Sequence, residues 1–158
     1  MTRAAIFALK RADLATRSAM DDALAGYGLT SAQLDILLYL EGREASAQRE
    51  LQAALGVTSA TLTRILDGMV ARGLVERRSS PADARAKCVS VTEAACEILE
   101  RLQEQEEGAF LARFAAGFSA EELQILTGWL HRLAANMGDT SQAIFGYGAR
   151  APEEECAR

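Results

Sequence analysis

The sequence has few prolines, few aromatic residues and no long apolar run. Two of its 158 residues are proline, and aromatic residues make up 6% of the chain. Few prolines and few runs of β-branched residues favour a mostly helical protein. No stretch approaches the ~18–20 consecutive apolar residues of a membrane span, and the N-terminal segment lacks the apolar core of a signal peptide. We therefore expect a cytoplasmic protein of one domain or a small two-part domain, with no membrane partner.

Residues that carry catalysis and metal binding are also scarce. His131 is the only histidine, and no second histidine or Cys/Asp cluster lies near it, so no metal site is expected. The sequence shows no Ser-His-Asp set, no phosphate-binding loop and no paired carboxylates in an apolar setting. We therefore expect neither an enzyme nor a cofactor.

The three cysteines are Cys88, Cys96 and Cys156. An odd number without CxxC spacing argues against a disulfide framework and against a zinc finger. Cys96 falls near the start of a predicted helix, where an exposed thiol gains reactivity. Two interpretations stay open: ordinary packed or idle thiols, or oxidant sensing through Cys88 or Cys96.

The segment from Glu50 to Thr92 has the pattern of a helix, a tight turn, a second helix and a β-hairpin. Gly56 is placed to end the first helix in a left-handed conformation. Thr58 is a good N-cap for the second helix, and Val57 and Leu62 occupy the positions of a hydrophobic staple around it. Two helices joined by so short a turn are typical of a helix-turn-helix motif.

The second helix of this pair has two contrasting faces. Its apolar stripe consists of Leu62, Ile65, Leu66, Met69 and Val70, and its opposite face carries Ala60, Arg64, Asp67 and Ala71. The opposite face is small and polar and has no bulky residue. Such a face is suited to the major groove of DNA.

The hairpin and the charge distribution agree with this interpretation. Strand-forming runs at residues 74–75 and 88–91 flank turn residues at 79–83, which predicts a wing directly after the recognition helix. Residues 58–87 carry six basic and three acidic side chains, a net charge of +3, within a chain whose net charge is −5. Basic charge is therefore concentrated where a phosphate backbone would lie.

Three motifs resemble the signature of MarR-type transcriptional regulators: LGVTSATLTRILDGMVARGLVERR at 55–78, PADAR at 81–85 and VSVT at 89–92. The resemblance covers roughly residues 5–137, and this sequence departs from the family pattern at Ser59, Gly68 and Val70. It implies a mostly α (α+β) fold, a winged helix-turn-helix with flanking N- and C-terminal dimerisation helices. Gly68 weakens the recognition helix slightly, and Ser59 alters which bases are read.

The resemblance and the capping signals divide the chain into four parts. We expect an N-terminal dimerisation helix within 1–28, a winged DNA-binding lobe at 29–92, C-terminal helices completing the dimerisation lobe at 93–138, and an irregular or partly disordered tail at 139–158. Helix starts are predicted at Thr30, Ser46, Thr58, Thr92 and Ser119, with capping boxes at Thr30 and Ser119. The helix that starts at Thr92 is expected to continue to about Ala116.

The predicted DNA-binding residues lie on the recognition helix and the wing: Ser59, Thr61, Thr63, Arg64, Arg77, Arg85 and Lys87. Arg64 matches the family's Thr-Arg and is a candidate for base or phosphate contact, the alternative being an ion pair with Asp67. Arg85 is carried over from the family's Asp-x-Arg wing tip as a minor-groove or phosphate arginine, oriented by Asp83. For Thr61 a backbone hydrogen bond in the first helical turn is the alternative.

The resemblance also implies a homodimer on a pseudo-palindromic operator in double-stranded DNA, with recognition helices ~34–36 Å apart. It further implies a repressor that a small aromatic or anionic effector releases. Helix placement makes Phe7, Arg11, Tyr39 and Arg72 the candidates for lining the effector site. A winged-helix protein-interaction module without an operator is the alternative from another functional class.

Overall fold

A computed structural model describes residues 2–80 and 86–138, and within them the chain is mostly helical with one small sheet. The helices are α1 (Thr2–Leu24), α2 (Ser31–Leu40), α3 (Gln48–Leu55), α4 (Ser59–Ala71), α5 (Glu93–Leu102), α6 (Gly108–Ala115) and α7 (Ala120–Asn136). The strands are β1 (Ser46–Ala47), β2 (Val75–Ser79) and β3 (Lys87–Val91). A 3-10 turn (Ala25–Tyr27) follows α1, and a π-helical segment (Gln103–Glu107) joins α5 to α6. The arrangement confirms the predicted mostly α winged helix-turn-helix.

The core lies in the lobe formed by α2, α3, α4, the sheet and α5. Its largest fully buried side chains are Leu24, Ile36, Leu37, Leu40, Leu51, Leu62, Leu66, Met69, Val75, Val89 and Leu99. Burying one such side chain contributes about 1.5–3 kcal/mol, so α2 and α4 are anchored firmly by their apolar faces. The predicted stripe of α4 is wrong at Val70, which is 41% exposed because it lies at the edge of the packed face.

The sheet has three antiparallel strands in the order β1-β3-β2. The sequence predicts only the β2–β3 hairpin, in which Val75 pairs with Val91 and Arg77 with Val89. The third strand is formed by Ser46 and Ala47, which pair with β3. The prediction that a helix starts at Ser46 is therefore wrong, because pairing with β3 holds these two residues extended and α3 begins at Gln48.

The other capping predictions are confirmed. The Thr30 hydroxyl accepts from the Gln33 amide and the Gln33 side chain accepts from the Thr30 amide, and Ser119 forms the same reciprocal pair with Glu122. Gly56 has φ of +61°, so the turn between α3 and α4 uses the left-handed conformation that glycine adopts without strain. These local signals fix where α2, α4 and α7 begin.

The predicted long helix after Thr92 is interrupted by the π-helical segment. Such a segment widens one turn and changes the direction of the side chains that follow it. The sequence predicts a solvated middle portion here, and Glu104 is indeed exposed. Two neighbours bond to other elements instead: Gln103 donates to Glu41 Oε1 at 3.3 Å, and Gln105 Oε1 accepts from the Tyr27 hydroxyl at 3.0 Å.

The outer helices α1, α6 and α7 expose many apolar side chains. The large ones are Ile6, Phe7, Leu9, Leu14, Leu111, Phe114, Ile125, Trp129, Leu130 and Leu133, each between 38% and 66% exposed. Neither α6 nor α7 contains a buried residue. Among the described residues no helix is both long and apolar enough to cross a bilayer. The predicted tail at 139–158 lies outside the described residues.

Candidate nucleic-acid interface

Helix α4 is held by its cap and by its buried face. The Thr58 hydroxyl accepts from the Thr61 amide at 3.2 Å, which satisfies a donor of the first turn. Leu62, Leu66 and Met69 are each fully buried in the core. The opposite face of α4 is consequently turned towards solvent along its whole length.

Two of the predicted DNA-binding residues are available on that face. Ser59 and Arg64 are exposed, and within residues 2–80 and 86–138 neither side chain forms a hydrogen bond or ion pair. The alternative interpretation of Arg64, an ion pair with Asp67, is wrong because Asp67 accepts from Arg77 instead. The Arg64 guanidinium therefore has all its donors free for an external partner.

Thr61 and Thr63 are less available than predicted. Both are half-buried. The Thr61 hydroxyl lies 2.9 Å from the Thr58 hydroxyl, so its contact is with another side chain and not with the backbone. The Thr63 hydroxyl accepts from Gln48 Nε2 at 3.3 Å, which links α4 to α3. Either hydroxyl can still form a further hydrogen bond, but each is already oriented by its bond within the protein.

Arg77 joins the wing to the recognition helix. Its Nη1 donates to Asp67 Oδ1 at 2.7 Å, and its Nη2 donates to the Thr63 carbonyl at 3.1 Å. The Arg77 side chain is 23% exposed against 62% for Asp67, and its buried Nε has no partner in the described structure. This position was detectable from the sequence, because strand alternation puts Arg77 on the same face of β2 as the buried Val75.

Of the other residues predicted on the wing, the structure describes Lys87. Lys87 is exposed, and its Nζ donates to the Ser79 hydroxyl at 2.9 Å across the hairpin. Arg78, which is not among the residues predicted from the sequence, is exposed on the neighbouring strand and pairs with Cys88 in the sheet. Arg85 and Asp83 lie outside the described residues. Cations are thus placed on both strands beside α4.

The four predicted effector residues are not brought together by any hydrogen bond or ion pair between them. Phe7 is 66% exposed and Arg11 is exposed, both on α1. Tyr39 is half-buried with the Arg43 guanidinium 4.4 Å from its ring centre, and burial raises the pKa of Tyr39 despite that cation. Arg72, at the end of α4, donates to the Gly28 carbonyl at 2.7 Å.

A cleft of about 480 Å³ lies elsewhere, between the 3-10 turn after α1 and the junction of α5 with the π-helical segment. Its lining residues are Gly26, Tyr27, Ile98, Arg101, Gln105 and Glu106. None of them is predicted from the sequence as a site residue. No local pattern would have revealed the cleft, because it forms only where segments more than 70 positions apart meet.

One of the two described cysteines differs from the sequence expectation. Cys88 is 4% exposed and disulfide-bonded, whereas Cys96 is half-buried with a free thiol. Cys156 lies outside the described residues. The expectation that Cys88 is an ordinary packed or idle thiol is therefore wrong, since cysteine pairing depends on spatial proximity that spacing in the sequence does not encode. In the described part of the chain no group of three His, Cys, Asp or Glu residues is arranged to hold a metal.

Comparisons with known proteins give consistent matches. The sequence model of the MarR family matches residues 27–86. The HTH-type transcriptional regulator YdgJ of Bacillus subtilis (strain 168) is 30% identical over 112 residues, which cover 71% of this chain and 68% of YdgJ.

Solved structures match over most of the chain. The transcriptional repressor CouR bound to a 23-mer DNA duplex superposes with a TM-score of 0.75 and 27% identity, over 81% of this chain and 90% of CouR. A mutant MarR from E. coli complexed with operator DNA superposes with a TM-score of 0.75 over 79% of this chain and 89% of that chain; at 24% identity it shows the fold alone.

Proposed function

Since the chain belongs to the MarR family of transcriptional regulators, we propose that it binds a pseudo-palindromic operator in double-stranded DNA as a homodimer and represses transcription until a small molecule releases it. One observation carries the proposal. The polar face of α4 is exposed along its length, and Arg64 on that face has no partner within residues 2–80 and 86–138. The buried face of α4 holds the helix in place behind it.

Five of the predicted DNA-binding residues have a proposed task. Arg64 and Ser59 contact base edges or phosphates from α4 in the major groove. Lys87, on the wing, contacts the backbone, and Arg85 reaches the minor groove or a phosphate. Arg77 acts indirectly, because its guanidinium is already bonded to Asp67 and to the Thr63 carbonyl. Its task is to hold the wing at a fixed angle to α4.

The proposed dimer is supported by the exposed apolar side chains of the outer helices. Soluble monomers rarely leave large contiguous apolar surfaces in water. Here the exposed leucines, phenylalanines and Trp129 belong to α1, α6 and α7, which lie in the proposed dimerisation segments 1–28 and 93–138. A two-fold axis through these helices would present two copies of the lobe at 29–92 to one face of DNA.

The proposed effector is a small aromatic or anionic molecule bound between the outer helices and the winged lobe. The cleft beside the 3-10 turn offers the Tyr27 side chain and the Arg101 guanidinium next to apolar Ile98. These residues belong to the segments 1–28 and 93–138, so the cleft does not by itself place the effector against the lobe at 29–92. Release of DNA requires the effector to prefer the arrangement of the two lobes that does not fit the operator. Effector binding then lowers the population of the DNA-binding arrangement.

Selection of bound fragments from sheared genomic DNA tests this proposal. We expect enrichment of a few fragments that share an inverted repeat, and competition by random DNA only at much higher concentration. The variant Arg64→Ala should select an altered repeat or lose affinity by about 1–3 kcal/mol, whereas Arg3→Ala, which removes an exposed arginine at the start of α1, should select the same repeat. Enrichment of no fragment, with retention of a protein partner instead, would favour the protein-interaction alternative.

A further inference from the structure

The short turn between α1 and α2 is bonded on both sides to distant parts of the chain. The Tyr27 hydroxyl donates to Gln105 Oε1 in the π-helical segment at 3.0 Å. The Gly28 carbonyl, one residue on, accepts from Arg72 Nη1 at 2.7 Å. Residues 27 and 28 thus connect the end of α1 to the α5–α6 junction on one side and to the recognition helix on the other.

Arg72 occupies the C-cap of α4, directly after the last helical residue. Besides the Gly28 carbonyl, its Nη1 lies 3.5 Å from Gln33 Oε1. The same Gln33 oxygen accepts from the Thr30 amide in the capping box of α2. The Arg72 guanidinium is therefore held at the start of α2, and through it the C-terminal end of α4 is tied to the α1–α2 turn.

The geometry around Gly28 leaves little room for a side chain. Gly28 has φ of +63°, the left-handed conformation that residues with a Cβ adopt at a cost. A Cβ built on it would lie 3.2 Å from Arg72 Nη2. The turn thus favours glycine at this position, and a Cβ here would push the Arg72 guanidinium aside by a few tenths of an ångström.

Arg72 and its acceptor are both exposed, so the bond contributes little to the free energy of unfolding. The bond does determine how the C-terminal end of α4 is oriented relative to the α1–α2 turn. Leu62, Leu66 and Met69 fix α4 in the core. Beyond the helix, the C-cap Arg72 is followed at once by Gly73, which has φ of +67°. Arg72 is the side chain at that end that reaches across to the α1–α2 turn.

We propose that Arg72 is a positioning residue for DNA recognition, holding the C-terminal end of α4 to the α1–α2 turn through the Gly28 carbonyl. This inference rests on the proposed DNA-binding function. It assigns Arg72 a task different from lining an effector site or contacting a phosphate. Tyr27 in the same turn bonds to Gln105, so two adjacent residues contact the α5–α6 junction and the end of α4.

The test is DNA binding by fluorescence anisotropy at several KCl concentrations, with full-length protein and a genomic fragment that the wild type selects. We expect Arg72→Met to weaken binding about fivefold or more, the effect of removing one hydrogen bond, with the slope of log K against log[KCl] unchanged and the melting temperature nearly unchanged. If Arg72 instead bound a phosphate directly, its removal would lower the slope by about 0.9 for each phosphate no longer neutralised. The control Arg3→Met removes an exposed arginine from α1 and should leave both quantities unchanged.

A second variant removes no charge. Gly28→Ala places a Cβ against Arg72 and strains the turn, so we expect weaker DNA binding with the wild-type salt slope. A reduced slope for Arg72→Met, or wild-type affinity for Arg72→Met, would overturn the positioning role while leaving the proposed function intact. A wild-type protein that selects no DNA would overturn the proposed function and this inference with it.

Discussion

At the scale of single residues, the pairing of Arg77 decides how the wing and the recognition helix meet. Its guanidinium bonds to the Asp67 carboxylate and to the Thr63 carbonyl, so β2 and α4 share one side chain. The wing therefore presents Arg78 and Lys87 at a fixed position relative to Arg64. In the proposed complex, the phosphates or bases bound by one element are thereby kept in register with those bound by the other.

We predict that Arg77→Met lowers the free energy of unfolding by about 1 kcal/mol. The effect is limited because Asp67 is 62% exposed and is rehydrated when its partner is removed. Urea unfolding of Arg77→Met, Asp67→Asn and the double variant measures the coupling between the two side chains. The loss in the double variant should be smaller than the sum of the single losses; additive losses would show that the pair does not hold the wing.

For single side chains, the sequence predicts solvent exposure better than it predicts hydrogen-bond partners. Helical periodicity places Ser59 and Arg64 on the open face of α4, and both are exposed. The same periodicity suggests a bond from Arg64 to Asp67 within the helix, but the carboxylate bonds to Arg77 from the adjacent strand. The reason is physical, because the strand holds Arg77 where its guanidinium reaches Asp67 and the Thr63 carbonyl together. Local spacing within α4 carries no information about that strand.

At the scale of elements, Thr92 joins three of them. Its hydroxyl donates to the Gly73 carbonyl at 2.7 Å, just beyond the end of α4, and lies 3.2 Å from the Leu74 carbonyl before β2. The same oxygen accepts from the Ala95 amide at 3.3 Å and so caps α5. One hydroxyl thus links the end of the hairpin to the residues that follow α4, and it also caps α5.

We predict that Thr92→Val lowers the free energy of unfolding by about 1–2 kcal/mol, since it removes a cap and leaves a carbonyl without its donor. Chemical denaturation followed by circular dichroism measures the change. Thr127→Val is the matched control, because the Thr127 hydroxyl bonds to the Leu123 carbonyl on the exposed surface of α7. Equal stabilities for the two variants would contradict the joining role of Thr92.

Helices that begin at a capping residue are predictable from the sequence here. Elements that depend on pairing with residues far away in the chain are not. Thr30, Thr58, Thr92 and Ser119 each cap a helix as their sequence context predicts. Strand β1 is only two residues long and exists because β3 pairs with it, so the sequence around Ser46 suggests a helix start instead. In the π-helical segment, Gln103 and Gln105 likewise form hydrogen bonds with residues far away in the chain, which local spacing does not predict.

At the scale of the whole molecule, the buried core and the exposed apolar surface belong to different parts of the chain. The lobe from α2 to α5 buries its apolar side chains internally. Helices α1, α6 and α7 leave theirs in water, including Phe7 and Trp129. This separation supports the proposed division into a self-contained DNA-binding lobe and outer helices completed by a second copy.

We predict that Leu133→Glu, which puts a charge into the apolar surface of α7, shifts the solution mass towards the 17.0 kDa of one chain. An ionised carboxylate buried in an interface costs several kcal/mol. Sedimentation equilibrium measures the mass, and Gln124→Glu on the same helix is the control of equal charge that should stay dimeric. A wild-type protein with the mass of a single chain at micromolar concentration would contradict the dimer.

The most direct test of the central claim is hydroxyl-radical footprinting of the wild type on a fragment selected from genomic DNA. The claim is that two copies of α4 read successive turns of one duplex. We predict two protected patches related by two-fold symmetry, with centres about 10–10.5 base pairs, or ~34–36 Å, apart. A single patch without symmetry, or protection spread evenly along the fragment, would contradict it.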